Sequence, residues 1–347
     1  MLVIKTIYDK KNEKKYLEDV YAGLLGKVVG VYLGRPFEGW SKEKIEKKWG
    51  KITGYVHEDV GHPLVVSDDD ISGTITFVRA LRDSKQYEKT PDDFYGKTWL
   101  NYLIEGQTVL WWGGLGVSTE HTAYLRLKDG VPSPQSGSCA LNGKTVSDQI
   151  GGQIFIEGFG LVAPGIPDLA VKLAKKAASV SHDGEGVYGA LVVAAMISHA
   201  FVEKNMNALL DKAVTYIPQD SVVAVVHKDV REWCKQDGDW QITYEKIKEK
   251  YGYSKYGGGC HMIPNHAIMV MAWCYAPDNF HLSQSIINTA GWDTDCNAGN
   301  VGSVMGVKLG LDAINKDYPY QEQFADRIMV PTADGTDSMT DVLNEAC

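Results

Sequence analysis

Apolar residues recur three and four positions apart along most of the chain, between segments rich in glycine, serine and proline. This spacing indicates amphipathic α-helices, because the apolar residues of a half-buried strand would alternate every second position. The strand and helix alternation that is typical of a parallel α/β sheet is missing from the pattern. The clearest helices are predicted at residues 17–33, 69–81, 92–103, 168–180, 187–202, 220–234, 264–273 and 296–314. We therefore expect an all-α fold.

Glycines line one face of two of these predicted helices. They share the spacing i, i+3, i+7 and i+11, and they are Gly23, Gly26, Gly30 and Gly34 in the first helix and Gly299, Gly302, Gly306 and Gly310 in the last. A glycine in a helix costs about 0.5–1 kcal/mol relative to alanine, so a compensating contact is expected. A face without side chains lets a second backbone approach closely. We expect both helices to make tight crossings at the centre of a bundle.

Acidic residues adjoin both glycine-rich helices and begin a third helix. Glu38 follows the first helix, Asp293 and Asp295 precede the last one, and Ser67-Asp68-Asp69-Asp70 opens the helix predicted at 69–81. A helix N-cap with acids near the helix dipole is the ordinary interpretation of the third segment. Consecutive acids repel one another, however, and the preceding apolar run predicts partial burial, so a cation is expected. Oxygen ligands without a histidine and cysteine set favour Mg²⁺, Mn²⁺ or Ca²⁺ over zinc.

Composition and charge exclude several classes of protein. The 347 residues are 44% hydrophobic and 23% charged, with a mean hydropathy of -0.20, as in a globular protein. A net charge of -9 attracts neither nucleic acid nor anionic lipid, so neither is expected as a partner. No apolar stretch reaches the roughly 18–20 residues of a membrane span, and the N-terminus lacks a secretory apolar segment. We expect a cytoplasmic protein whose six cysteines are reduced.

Five short motifs follow one another between about residues 18 and 312. They are Gly34-Arg35-Pro36-Phe37-Glu38, Ser67-Asp68-Asp69, Pro164-Gly165-Ile166-Pro167-Asp168-Leu169-Ala170, Ser181-His182, and the segment Gly291–Gly302 with its Asp-Thr-Asp. Each motif alone is weak, but in this order they resemble the ADP-ribosylglycohydrolase family. That family includes dinitrogenase-reductase-activating glycohydrolases, enzymes that remove ADP-ribose from serine, and crystallin-like relatives. The resemblance implies one domain over residues 1–347, folded as an all-α orthogonal bundle.

The resemblance also implies a cleft with two divalent cations, usually Mg²⁺. The implied metal ligands are Ser67, Asp68, Asp69, Asp293 and Asp295. Glu38 corresponds to the glutamate that assists the attacking water, and Asp69 and Asp293 are expected to take part in catalysis. The expected substrate-binding residues are His182, Gly151, Gly152 and Trp292. For His182, a core or capping histidine is an equally simple interpretation.

Several positions depart from the family pattern. Val31 stands where the family has an aspartate, and Cys296 replaces a hydroxyl residue that often binds the second metal. Because a thiol is a poor ligand for Mg²⁺, the second metal site is in doubt. The loop at residues 150–155 lacks the asparagine and arginine that face the diphosphate, and Trp292 replaces a glycine. Trp292 and the pair Trp111-Trp112 are candidates for stacking on a sugar or base.

These residues predict hydrolysis of an N- or O-glycosidic bond at C1 of a ribose-like furanose, in an ADP-ribosyl group, a nucleoside or another furanoside. The reaction passes through an oxocarbenium-like state, and a metal pair can orient the ring hydroxyls and activate a water. The partner would be a small-molecule glycoside or an ADP-ribosylated substrate, and the altered loop favours a small, weakly charged one. A di-metal hydrolase of nucleotide phosphoanhydrides is one alternative. A non-catalytic binding or structural protein is another, supported by Cys296 and opposed by Glu38.

Overall fold

The computed structural model describes residues 12–108, 118–335 and 338–347, so that Trp111-Trp112 lies outside the described residues. The helices are α1 Glu13–Gly34, α2 Lys42–Trp49, α3 Asp69–Ser84, α4 Asp92–Tyr102, α5 Thr119–Lys128, α6 Cys139–Asn142, α7 Lys144–Ser147, α8 Gly151–Ile154, α9 Glu157–Leu161, α10 Pro167–Ala178, α11 Glu185–Ala200, α12 Met206–Ala213, α13 Val222–Asp237, α14 Trp240–Tyr251, α15 Met262–Tyr275, α16 Phe280–Ala290, α17 Thr294–Leu309, α18 Leu311–Ile314, α19 Tyr320–Phe324 and α20 Val342–Ala346. Two short antiparallel strands, β1 Arg327–Met329 and β2 Met339–Asp341, pair near the C-terminus. The all-α prediction is confirmed.

Each of the eight predicted helices has a counterpart in the structure, and the largest error is at the end of the last one. The sequence pattern extends that helix to residue 314, but α17 ends at Leu309. Gly310 follows with a φ of 84°, a left-handed conformation that glycine adopts without a steric penalty. The short helix α18 then begins at Leu311. Gly310 is therefore a helix stop rather than the last member of the glycine stripe.

The two glycine-rich helices cross backbone against backbone, as expected. A Cβ added to Gly30 would overlap the carbonyl oxygen of Ala298, and one added to Gly26 would overlap that of Gly302. A Cβ on Gly306 would likewise overlap the carbonyl oxygen of Ala22. The side-chain-free faces of α1 and α17 thus permit an approach that alanine would block.

This crossing brings three helix ends together. The hydroxyl of Thr294, at the start of α17, donates a hydrogen bond of 2.7 Å to the carbonyl oxygen of Gly34, at the end of α1. The start of α3 lies beside them, because Asp68 forms an ion pair with Arg35 after α1 and Asp70 accepts a hydrogen bond from the Cys296 thiol of α17. Helix α11 is buried over most of its length in the core behind them. Within the described ranges, none of the helices is long and apolar enough to span a membrane.

Candidate active site

A cavity of about 290 Å³ opens where these three helix ends meet. In the described part of the chain, seven carboxyl groups line it, namely Glu38, Asp68, Asp69, Asp70, Glu120, Asp293 and Asp295. Ser67 lines the same cavity, so all five predicted metal ligands and the predicted glutamate are brought together. The two acidic segments make direct contact, because the Cys296 thiol lies 3.4 Å from Oδ2 of Asp70, 226 positions earlier in the chain.

Two sets of these groups offer ligand atoms that lie within 4.8 Å of one another across the helix ends. One set is Glu38, Asp293 and Asp295, and the other is Asp70, Asp295 and Cys296. Asp295 belongs to both sets and therefore lies between them. The first set consists entirely of oxygen ligands, whereas the second includes a sulfur.

On one side of the cavity, two carboxylates have partners within the protein. Asp68 caps α3 by accepting a hydrogen bond of 3.0 Å from the Asp70 amide, as the capping interpretation predicted, and it forms an ion pair of 3.2 Å with Nε of Arg35. Asp70 forms an ion pair of 3.3 Å with the ammonium of Lys27. We call this the paired side, defined by Asp68 and Asp70 with their two cations.

In the described part of the chain, the other three aspartates that line the cavity lack such cations. Within the described ranges, no lysine or arginine forms an ion pair with Asp69, Asp293 or Asp295. Oδ2 of Asp293 is buried without any hydrogen-bond partner, and Asp295 accepts a hydrogen bond of 2.9 Å from the Cys296 amide. We call this the unpaired side, defined by Asp69, Asp293 and Asp295. A buried carboxylate oxygen without a donor is costly, and a cation is one group that can satisfy it.

The pKa values of these acids reflect the excess of negative charge over positive charge in the cavity. Burial raises the pKa of Asp293 and of Asp295 well above its usual range, and the charges of Glu38 and Asp70 raise it further. Burial, with the charge of Asp70 and despite the guanidinium of Arg35, raises the pKa of Asp68 to about 7. A bound divalent cation would favour the ionised carboxylates. The oxygen set of the unpaired side fits a hard cation such as Mg²⁺ or Ca²⁺.

The predicted substrate-binding glycines have different positions. Gly151 lines the cavity beside Glu120, and a Cβ on it would overlap the Glu120 carboxylate. Gly152 lies behind this wall, where its amide donates a hydrogen bond of 3.2 Å to Nε2 of His182. Burial lowers the pKa of His182 to about 3, so the ring is neutral and can accept that bond. His182 therefore supports the loop from behind and, among the described lining residues, is not found at the cavity wall.

Trp292 lies at a second cavity of about 280 Å³, which shares Glu38 and Asp293 with the first. Its ring contacts those of Tyr244 and Tyr253, with centroid distances of 5.4 and 5.5 Å. Trp292 has a φ of 69°, a conformation that costs a residue other than glycine roughly 1–3 kcal/mol. The strain explains why a glycine is well suited to this position, and it makes a tryptophan there a candidate for function.

Sequence reasoning missed three groups at this site. Asp70 was not assigned as a ligand although it belongs to the acidic segment, and Glu120 carried no recognisable motif. Lys27 had a signal that could have been used, because it is the one charged residue of the sequence between Asp19 and Arg35 and lies within a glycine stripe. A lysine in such an apolar surrounding requires a buried acidic partner.

The fold and the site together define an all-helical protein with an acidic, oxygen-rich cavity of the kind that binds divalent cations. The family model of the ADP-ribosylglycohydrolases matches residues 12–341, and the chain belongs to that family. A solved structure of an ADP-ribosylglycohydrolase-related protein complex is similar in fold, with a TM-score of 0.60 and 17% sequence identity over 90% of this chain and 96% of that one. Among curated proteins, none matches this sequence significantly. Family membership indicates glycohydrolase activity toward ADP-ribose-like substrates, and divalent metals are general in the family.

Proposed function

We propose that the protein is a metal-dependent glycoside hydrolase that cleaves the bond at C1 of a ribose-like furanose. The observation that carries this proposal is the meeting of two distant acidic segments around a buried Asp293 oxygen that lacks a hydrogen-bond partner. A structural cluster of acids would be expected to satisfy each of its buried oxygens within the protein. An unsatisfied oxygen beside other carboxylates instead supports a ligand site for a cation.

The carboxylates of the unpaired side would hold the cation. A divalent cation supplies positive charge that orients the ring hydroxyls and lowers the pKa of a water molecule. Glu38 lies at the exposed mouth of the cavity, with a carboxylate oxygen within 4.8 Å of ligand atoms of Asp293 and Asp295. From there it would accept the proton of a water that attacks C1.

The second cavity supports a position for the leaving group. It adjoins the acids through Glu38 and Asp293, and its walls include the rings of Trp292 and Tyr253. A sugar bound at the acids would extend its leaving group toward these rings, which can stack on a base or another planar group. Among the described lining residues of the first cavity, Arg35 is the one cation, and it is paired with Asp68. We therefore infer a small, weakly charged glycoside with a planar leaving group.

The activity is tested by incubating the protein with Mg²⁺ or Mn²⁺ and a panel of ribosides, other furanosides and ADP-ribosyl peptides, with products identified by mass spectrometry. We expect release of a free sugar from at least one small furanoside, and loss of that release with EDTA. Glu38→Gln should reduce the rate by about 10²–10⁴-fold, as expected for loss of a general base. Cleavage of a phosphoanhydride bond instead, or turnover unaffected by EDTA, would contradict the proposal.

The substrate class is tested by competition. Charge-assisted contacts to phosphate contribute roughly 1.5–3 kcal/mol each, so a site without free cations should bind ADP-ribose no more tightly than a simple riboside. Trp292→Gly should weaken binding of ligands with a planar leaving group, because it removes the ring that stacks on that group. Tyr256→Ala, outside this cavity, is the matched aromatic control. Micromolar binding of ADP-ribose that is unaffected by Trp292→Gly would show that the site is built for ADP-ribose.

A further inference from the structure

Lys27 is a fully buried cation beside the acidic cavity. Its side chain is 1% exposed, and its ammonium has three acceptors in the described structure. These are Oε1 of Glu157 at 2.8 Å, the carbonyl oxygen of Ile154 at 2.8 Å and Oδ1 of Asp70 at 3.3 Å. An ammonium has three N–H donors, so this environment satisfies all of them.

The partners of Lys27 are themselves fixed by the core. Glu157 is completely buried, and its two carboxylate oxygens accept hydrogen bonds from Nδ2 of Asn300 at 2.5 Å and from the hydroxyl of Thr74 at 3.0 Å. Burial lowers the pKa of Lys27, and the charges of Glu157 and Asp70 raise it by more, so that the net shift is upward. Lys27 is therefore a permanent positive charge held in one place by α3, α8, α9 and α17.

The groups around Lys27 are unsuitable for a second hard cation. The set that adjoins it is Asp70, Asp295 and Cys296, in which Asp70 already has the ammonium as its counter-ion. Cys296 contributes a thiol, which is a poor ligand for Mg²⁺. The apolar side chain of Val31 lies beside that of Lys27, because both would be met by a Cβ added to Gly299. Mg²⁺ requires oxygen ligands in near-octahedral geometry, and in this set only Asp70 and Asp295 offer them. In the neighbouring set of Asp68, Asp69 and Asp70, two of the three carboxylates already have Arg35 and Lys27 as counter-ions.

We propose that Lys27 is a built-in cation that takes the place of one metal ion, so that the cavity binds one divalent cation, on the side of Asp293 and Asp295, instead of two. This inference rests on the proposed metal-dependent function and specifies how many divalent cations the cavity binds. One carboxylate set is neutralised by the chain itself, and the other requires a ligand from solution. The Lys27 ammonium and the Cys296 thiol both contact Asp70, so the two residues act on the same carboxylate.

The experiment counts bound Mn²⁺ on the full chain after treatment with EDTA. Isothermal titration should give one tight Mn²⁺ per chain, and electron paramagnetic resonance should show an isolated ion. Two tight equivalents with a spin-coupled signal would overturn the inference. Failure of a protein with one bound Mn²⁺ to hydrolyse any furanoside would overturn the proposed function alone, so the two results are distinguishable.

A variant without Lys27 tests whether the cavity can then bind a second cation. Lys27→Met alone would leave Glu157 and Asp70 buried without their counter-ion, so it is combined with Glu157→Gln and Cys296→Thr. This triple variant should gain a second Mn²⁺ equivalent, because it restores oxygen ligands and frees Asp70. Lys308→Met is the control, because it removes a different buried lysine, which is paired with Asp278. It should still bind one Mn²⁺ per chain. A folded triple variant that still binds one Mn²⁺ would show that Lys27 does not exclude the second cation and would overturn the inference.

Discussion

The paired and unpaired sides of the cavity differ in the source of their positive charge. On the paired side, Asp68 and Asp70 lie beside Arg35 and Lys27, which both come from the C-terminal part of α1 and the turn after it. On the unpaired side, Asp293 and Asp295 follow a turn in which Gly291 and Trp292 have positive φ values. That turn orients the carboxylates toward the cavity without supplying a cation.

Under the proposed function, this difference separates the acids that are paired within the fold from the acids that bind the cation. Removing one partner of a buried ion pair leaves an uncompensated charge, which typically costs about 3–5 kcal/mol. Removing an acid from a group that lacks cations instead relieves repulsion. Aspartates of one cavity are therefore expected to respond in opposite directions to the same substitution, and the response identifies the ligand-binding side.

The largest effect is expected from Asp293→Asn. Asparagine preserves the shape of the side chain but removes the charge that the cation requires, so activity should fall by at least about 10³-fold, or roughly 4 kcal/mol of transition-state stabilisation. Steady-state hydrolysis of the best furanoside with saturating Mg²⁺ measures it. The exposed Asp312→Asn is the control and should retain full activity. More than a tenth of normal activity in the Asp293→Asn protein would show that Asp293 does not bind a cation that the reaction requires.

A second prediction concerns a substitution that affects both sides of the cavity, since both depend on the crossing of α1 and α17. Gly30→Ala places a Cβ against the backbone of Ala298, where no flexible side chain can move aside. Overpacking typically costs about 1–3 kcal/mol, and we expect the upper end or more, near 3 kcal/mol. Urea unfolding measures the loss, with Gly259→Ala as control because a Cβ there meets nothing within 4 Å. A Gly30→Ala protein as stable as the control would show that the close approach is dispensable.

The helices and their crossing could be predicted from the sequence because both depend on local spacing. Apolar residues three and four apart define a helix face, and glycines with the same spacing predict a close neighbour. The end of α17 could not be predicted, because Gly310 continues the spacing of the stripe. Only the tertiary structure distinguishes a glycine that permits contact from one that ends a helix with a φ of 84°.

The acidic segments of the site could also be predicted, since consecutive aspartates are unusual beside apolar runs. Their division into a paired and an unpaired side could not, because each pairing joins residues distant in sequence. Lys27 meets Glu157 only where α1 and α9 approach each other, and Glu120 reaches the cavity through α5. His182 illustrates the same difficulty, because a motif places it near the site but does not show whether its ring faces the cavity or the loop behind it.

A third prediction concerns stability without metal. In EDTA, Asp70→Asn should destabilise the fold by about 2–3 kcal/mol, because Lys27 loses one of its two buried carboxylate partners. Asp293→Asn should be neutral or stabilising by up to about 1 kcal/mol. Urea unfolding measures both variants, and excess Mg²⁺ should then stabilise the wild type but not Asp293→Asn. Equal destabilisation by the two substitutions would mean that the sides do not differ in the way proposed.

The smallest effect tests how far the hydrogen bonds of the paired side extend into the core. Glu157 bonds to Asn300, which contacts Gln153, and Gln153 accepts a hydrogen bond of 2.6 Å from Nδ1 of His266 when that histidine is neutral. Nε2 of His266 then accepts from Nε2 of His227 at 2.8 Å. Protonation of His266 at Nε2 would place its N–H group against the Nε2–H group of His227. Burial accordingly lowers the pKa of His266 to about 3, and burial with the neighbouring His266 lowers that of His227 well below its usual value.

The sign of the pH dependence follows from these depressed values. As the pH falls below about 6.5, His227 and His266 become protonated in the unfolded chain but stay neutral in the folded protein. The free energy of unfolding therefore decreases down to a pH near 3. Between pH 7 and pH 6, the two histidines together should remove roughly 1–1.5 kcal/mol. Asp68 of the cavity, with its pKa of about 7, titrates in the same range. The quantity to measure is therefore the difference in unfolding free energy between wild type and the double variant His227→Gln, His266→Gln at each pH. We expect that difference to shift in favour of the variant as the pH falls. A difference that is constant from pH 7 to pH 5 would show that the histidines are not held neutral, and that the ordered network of the paired side ends before His266.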